Sequence, residues 1–100
     1  MSLINVFETA AELPQAWRSR LLGEFGTARL KVLRMDELPV VEEEHAEAEA
    51  LLVLDGRLEL VVAGEAVTVR PGELYVVPAG VRHAVAPGSG GTLLLVTTDD

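Results

Sequence analysis

Residues 72–83 read GELYVVPAGVRH, and the reading of this stretch decides the fold. Leu74 to Val77 is a short run of aromatic, branched and aliphatic residues bounded by turn formers, the composition of a strand. Pro71 with Gly72 suits a type II turn before it, and Pro78, Ala79 and Gly80 force a tight corner after it. Val81, His83 and Val85 then share one face of the next strand, so the corner presents the His83 imidazole inward.

Upstream of this stretch, Val67 and Val69 alternate with Thr68 and Arg70 behind a turn expected at Gly64 and Glu65. Before them, Ala50–Leu54 and Leu58–Val62 flank Asp55 and Gly56, a pair suited to a two-residue type I′ turn, and a hairpin is expected there. Downstream, Gly88–Gly91 reads as a flexible loop leading to a strand at Leu93–Val96. No Lys with Ser or Thr follows that loop, so it is a turn and not a phosphate cradle.

The N-terminal third is ambiguous. Thr9 to Glu12 has capping-box spacing, Pro14 is able to open a short helix, and Trp17 and Leu21 lie four apart; yet Trp17, Ser19 and Leu21 also alternate as in a strand. Gly23 and Gly26 interrupt the segment, and Ala28–Met35 follows as a strand with Arg29 and Lys31 expected on its wet face. The expectation is a short N-terminal helix or strand extension, then a hairpin. Many short strands with regularly spaced turns point to an all-β sandwich or closed barrel, not an alternating βαβ fold.

Composition narrows the function. One hundred residues have room for one core, so a single domain over residues 1–100 is expected, its barrel at about 28–98. No apolar run exceeds five residues, against the roughly 20 a membrane-spanning helix needs. The first nine residues lack the basic and apolar blocks of a signal peptide, so a soluble, cytoplasmic protein is expected. A formal charge of −8 with scattered Arg and Lys argues against a nucleic-acid partner. With no cysteine, any metal must sit on His, carboxylate or water.

Both histidines lie where chemistry is plausible. His45 stands among Glu42, Glu43, Glu44, Glu47 and Glu49, and in an extended segment Glu43, His45, Glu47 and Glu49 point to one side, a face able to grip a cation. The bland alternative is a hydrogen-bonded core histidine at 83 and a solvated acidic loop at 42–49. Tyr75, opposite in phase to Leu74 and Val76, reads as core or surface; Arg82 as a surface charge pointing away from His83; Trp17 as a packing anchor. No serine stands in a nucleophile-elbow motif or close to a histidine, which argues against a serine hydrolase.

These residues resemble a known family. Gly72 to His83 fills G-x5-P-x-G-x2-H, the second conserved motif of the cupins up to its histidine, and Glu43, His45, Glu49 and Gly56 align with the first motif, H-x-H-x3-E-x6-G, at three of four positions. The chain departs at Glu43 for the first histidine, Glu37 for the leading glycine and Pro87 for the closing asparagine. The resemblance implies a single-domain cupin double-stranded β-helix, a jelly-roll-like antiparallel β-barrel. It also implies a metal set of His45, Glu49 and His83, with Glu43 as a fourth ligand or a free general base. Two imidazoles with one or two carboxylates favour a divalent Fe, Mn, Ni or Zn ion and leave positions open for substrate or dioxygen. A small-molecule substrate or ligand is then expected, with a dioxygenase or an isomerase as the reaction class. A non-catalytic, metal-free binding or structural module is the alternative, and a metal-free isomerase using His45 or His83 as base is a third. The resemblance further implies a homodimer, with Leu3–Phe7 as candidate for an exchanged strand.

Overall fold

Asn5 opens the regular structure in the computed structural model, which describes residues 3–98. Its side chain accepts a hydrogen bond from the Glu8 N–H and caps helix α1 (Val6–Ala11), with Glu8 in the first turn favourably placed toward the helix dipole. The expected capping box at Thr9 is therefore corrected: Thr9 lies inside the helix, its hydroxyl donating to the Asn5 carbonyl. The Asn5 cap also turns Val6 and Phe7 into helix, so Leu3–Phe7 is not a strand, and Pro14 sits in a bend without opening a helix. Leu21 falls in strand β1 (Arg20–Phe25), which pairs with β2 (Ala28–Met35) as the expected hairpin.

The other strands are β3 (Val40–Glu43), β4 (Glu49–Val62), β5 (Glu65–Val69), β6 (Leu74–Val77), β7 (His83–Val85) and β8 (Gly90–Thr97). One antiparallel sheet runs β1-β2-β8-β4-β6 and the other β5-β4-β7-β3. Strand β4 belongs to both, its first half flanked by β6 and β8 and its second by β5 and β7. A shared, bent strand is what curls one sheet onto the other in a jelly roll.

That bend corrects the expected hairpin at Asp55–Gly56. The chain does not reverse there: β4 is one 14-residue strand whose pairing with β8 slips between Val53 and Asp55. The slip is a β-bulge, and it changes which alternate residues face inward. Leu51 and Val53 are buried before it, and Leu58, Leu60 and Val62 after it, an odd-to-even switch that one extra residue makes possible. Gly56 has φ +75, and a Cβ there would lie 1.9 Å from the Gly90 carbonyl oxygen, so the bulge admits only glycine. Gly90 and Gly91 accordingly belong to β8, paired with Arg57 and Gly56, and not to a loop. The mirror-type hairpin turn lies instead at Ala63–Gly64, whose φ values are +49 and +84, joining β4 to β5.

The core fills the space between the sheets with Leu33, Met35, Leu51, Val53, Leu58, Leu60, Val62, Val69, Val77 and Leu93. Burial of each such side chain contributes about 1.5–3 kcal/mol. On the outer face of β2, Val32 is buried, and α1 with its buried Ala10 packs against this strand. Lys31 shares the phase of Leu33 and Met35, so the expectation that it faces solvent on the wet side is corrected: it lines the interior cavity. Tyr75 packs against the core and Arg82 is exposed, pairing with Glu44 at 3.5 Å, as the sequence indicated for both.

Candidate metal-binding site

His83 begins β7 directly after the Pro78–Gly80 corner, which is closed by the Val81 N–H on the Pro78 carbonyl. The corner delivers the side chain to the interior, where it is only 6% exposed. Antiparallel pairing sets Glu43 of β3 opposite His83, and the Gly80 N–H donates to the His45 carbonyl at 2.8 Å. These two links bring the acidic segment and the proline corner, distant in sequence, to one place.

There the ligand atoms of Glu43, His45 and His83 lie within 4.8 Å of one another. His45 Nε2 is 3.6 Å from Glu43 Oε1, and the two imidazole rings are 5.4 Å apart at 39°. Glu49, pointing inward in phase with Leu51 and Val53 at the start of β4, places Oε1 3.1 Å from His83 Nε2. Glu47 does not join them: residues 46–47 form a bend instead of the expected extended run, and Glu47 is exposed. The one-sided carboxylate face expected from alternation is thus corrected to Glu43, His45 and Glu49.

His83 shows what the site asks for. Its Nδ1 faces the Val81 carbonyl at 3.3 Å and its Nε2 faces Glu49, so both ring nitrogens meet oxygen acceptors. A neutral imidazole has one N–H to give. With Nε2–H donated to Glu49, Nδ1 faces the Val81 carbonyl without a proton to give; with Nδ1–H donated to Val81, Nε2 and Glu49 both turn lone pairs toward one point, where an ion would bind beside both. The second arrangement is the usual one for a metal-bound histidine, whose other nitrogen donates to a carbonyl. Ligands about 2.1 Å from one ion lie at most about 4.2 Å apart, so shifts of less than roughly 1 Å close Glu43, His45 and His83 around a divalent ion, with Glu49 against His83 beside that group of three. Two imidazoles with carboxylates fit Fe, Mn, Ni or Zn by their chemistry.

The set opens on a cavity of about 240 Å³. Its walls are Leu33, Leu51, Leu58, Leu60, Leu93 and Leu95, with Val40 and Val85. Trp17, Ser19, Lys31 and Thr97 also line it, four residues that sequence reasoning did not place there. For Lys31 the signal was available in its phase with Leu33 and Met35; for Trp17 it was not, because that residue sits at φ +69 in an irregular segment. Trp17 is held by its backbone N–H on the Arg34 carbonyl and its indole N–H on Asp36, both at 2.8 Å.

Comparison with known proteins accords with this geometry. No curated protein matches the chain in sequence. Among solved structures, a cupin-2 domain containing protein from Shewanella frigidimarina superposes with a TM-score of 0.82 at 22% identity, covering 96% of this chain and 94% of that one. Hydroquinone 1,2-dioxygenase from Sphingomonas sp. TTNP3, solved in complex with 4-nitrophenol, has a TM-score of 0.86 at 20% identity, over 99% of this chain and 33% of that one. Hydroquinone 1,2-dioxygenase PnpCD, solved in complex with Fe3+, has a TM-score of 0.87 at 13% identity, over 100% of this chain and 33% of that one. At such identities the likeness establishes the fold. The described helix is six residues long, and no helix among the described residues is long and apolar enough to cross a membrane. The family model for the Cupin domain matches residues 36–98, which span both motifs and every strand from β3 to β8, and the chain belongs to the cupin family.

Proposed function

We propose that this chain is a single-domain cupin that holds a divalent metal ion through His45, His83, Glu49 and Glu43 and acts on a small molecule in the adjoining cavity. The observation that carries the reading is the face-to-face placement of His83 Nε2 and Glu49 Oε1 at 3.1 Å beside Glu43 and His45. It gathers two imidazoles and two carboxylates at one spot, the donor types that hold a divalent ion. When bound, such an ion supplies Lewis acidity or dioxygen activation. The chain's own residues do the rest: Val81 fixes the His83 ring through Nδ1, the leucine walls give a substrate an apolar surface to pack on, and half-exposed Glu43 at the rim takes a proton from a bound substrate or completes the ligand set.

Dioxygenase chemistry is the first reaction class we propose, because the hydroquinone 1,2-dioxygenases share the fold and one was solved with Fe3+. Isomerisation is the second. The outer face of the five-stranded sheet exposes Leu74, Val76 and Val96, and we propose a homodimer through this surface, in the cytoplasm. The test of the central reading is elemental analysis of untagged protein, alongside a His45→Ala, His83→Ala double variant. Near one metal per chain in the parent and none in the variant supports the reading. No metal in the parent, even after incubation with each of the four ions, refutes it and leaves a metal-free binding module.

A further inference from the structure

The cavity holds a cationic side chain that the metal reading leaves unused. Lys31 is the only lysine in the chain, and it projects from β2 into the cavity in phase with Leu33. Among the described residues it forms no ion pair, whereas Arg29, Arg57 and Arg82 each pair with a glutamate. Next to it on β8 stands Thr97, 6% exposed, whose hydroxyl is buried without a hydrogen-bond partner among the described residues. A buried hydroxyl without a partner costs free energy, but this oxygen is closed even to water, so Thr97 shapes the wall beside Lys31 and does not itself reach a ligand. The register explains the grouping. Lys31 pairs with Leu95 and Arg29 with Thr97, so Lys31 and Thr97 are diagonal neighbours on the inner face. Thr97 also stands one step beyond the Ala50–Val96 pair, which puts it beside Glu49.

We propose that the cavity takes a small organic anion, its oxyanion received by the Lys31 ammonium and its apolar body packed on Leu33, Leu93, Leu95 and the Trp17 ring. The rest of the molecule then extends toward the Glu43–His45–His83 group that lines the same cavity. Lys31 on β2 and Glu49 on β4 stand on either side of β8, so the cation draws a bound anion away from the carboxylates. A volume of about 240 Å³ lies below the range of drug-sized pockets and suits a single-ring carboxylate or phenolate. This names the substrate class of the proposed function and rests on that reading for the chemistry, but not for the binding.

The experiment separates the two. Trp17 is the only tryptophan and lines the cavity, so its fluorescence reports occupancy directly. Benzoate and its neutral counterpart benzamide are titrated into protein stripped with EDTA, so that no metal contributes to anion binding. The expected result is a roughly tenfold preference for benzoate, the scale of one charged hydrogen bond. Lys31→Met abolishes the preference and Lys31→Arg retains it. Equal binding of the two compounds by the parent, a preference that survives in Lys31→Met, or no saturable response to either up to roughly 50 mM overturns the proposal. None of these outcomes depends on whether the protein later binds metal.

Discussion

Substitution of Gly56 by alanine tests the device that builds the interior. The bulge at Asp55–Gly56 switches the inward phase of β4, so that Glu49 and Leu51 face the cavity at one end and Leu58 and Leu60 at the other. A Cβ at position 56 meets the Gly90 carbonyl oxygen at 1.9 Å and the Gly91 Cα at 2.8 Å, both backbone atoms that move only if the β4–β8 ladder opens. The left-handed backbone costs about 1–2 kcal/mol for alanine, and opening two ladder hydrogen bonds adds about 1–3 kcal/mol. The total is about 2–5 kcal/mol, or a fall in Tm of very roughly 10–30 °C for a domain of this size. Gly64→Ala is the control: φ is +84 there too, but no heavy atom lies within 4 Å of the added carbon, so only the backbone cost of about 1–2 kcal/mol applies. Thermal unfolding followed by circular dichroism compares the two. Equal shifts in Tm would refute the argument that close approach, and not backbone conformation alone, dictates glycine at the bulge.

Other predictions rest on single contacts. Glu49→Gln keeps the shape of the side chain but removes its charge from His83, and metal affinity measured by competition with a chelator should fall at least roughly tenfold. Trp17→Phe removes the indole N–H donated to Asp36 while keeping an aromatic wall; urea unfolding should show a loss of about 1–2 kcal/mol, and an unchanged midpoint would deny that bond a structural role. Light scattering should give the mass of two chains, and Val76→Glu, in the exposed apolar face, should give that of one; a monomeric parent would remove the proposed dimer.

How much of this was legible in the sequence differs from part to part. The segment from Gly72 to His83 was readable because Pro and Gly act locally: the turn at Pro71–Gly72 is closed by the Glu73 N–H on the Arg70 carbonyl, and the corner before His83 forms as its residues indicate. Asp55–Gly56 misled because a positive φ at glycine serves a hairpin turn and a bulge equally well. What separated them was Gly91, distant in sequence, whose own missing side chain lets the two backbones approach. The parity change from Leu51 and Val53 to Leu58 and Leu60 was present in the sequence and marks a bulge when both runs are read as one strand. Glu43, His45 and Glu49 were found by motif spacing, yet Glu47 fits the same alternation and is excluded only by the bend at residues 46–47. Lys31 was not read as lining the cavity, although its phase with Leu33 and Met35 carries that signal once those two are taken as core.

The measurement that bears most directly on the central claim is a cobalt(II) titration of EDTA-stripped protein, followed by visible absorption, for the parent and for single variants. The account predicts saturation at one cobalt per chain, loss of the site in His83→Ala and in His45→Ala, weakened binding in Glu43→Ala, and parental behaviour in Glu47→Ala, whose side chain lies outside the ligand group. Absence of a saturable cobalt spectrum in the parent, or the same spectrum and affinity after His83→Ala, would contradict it.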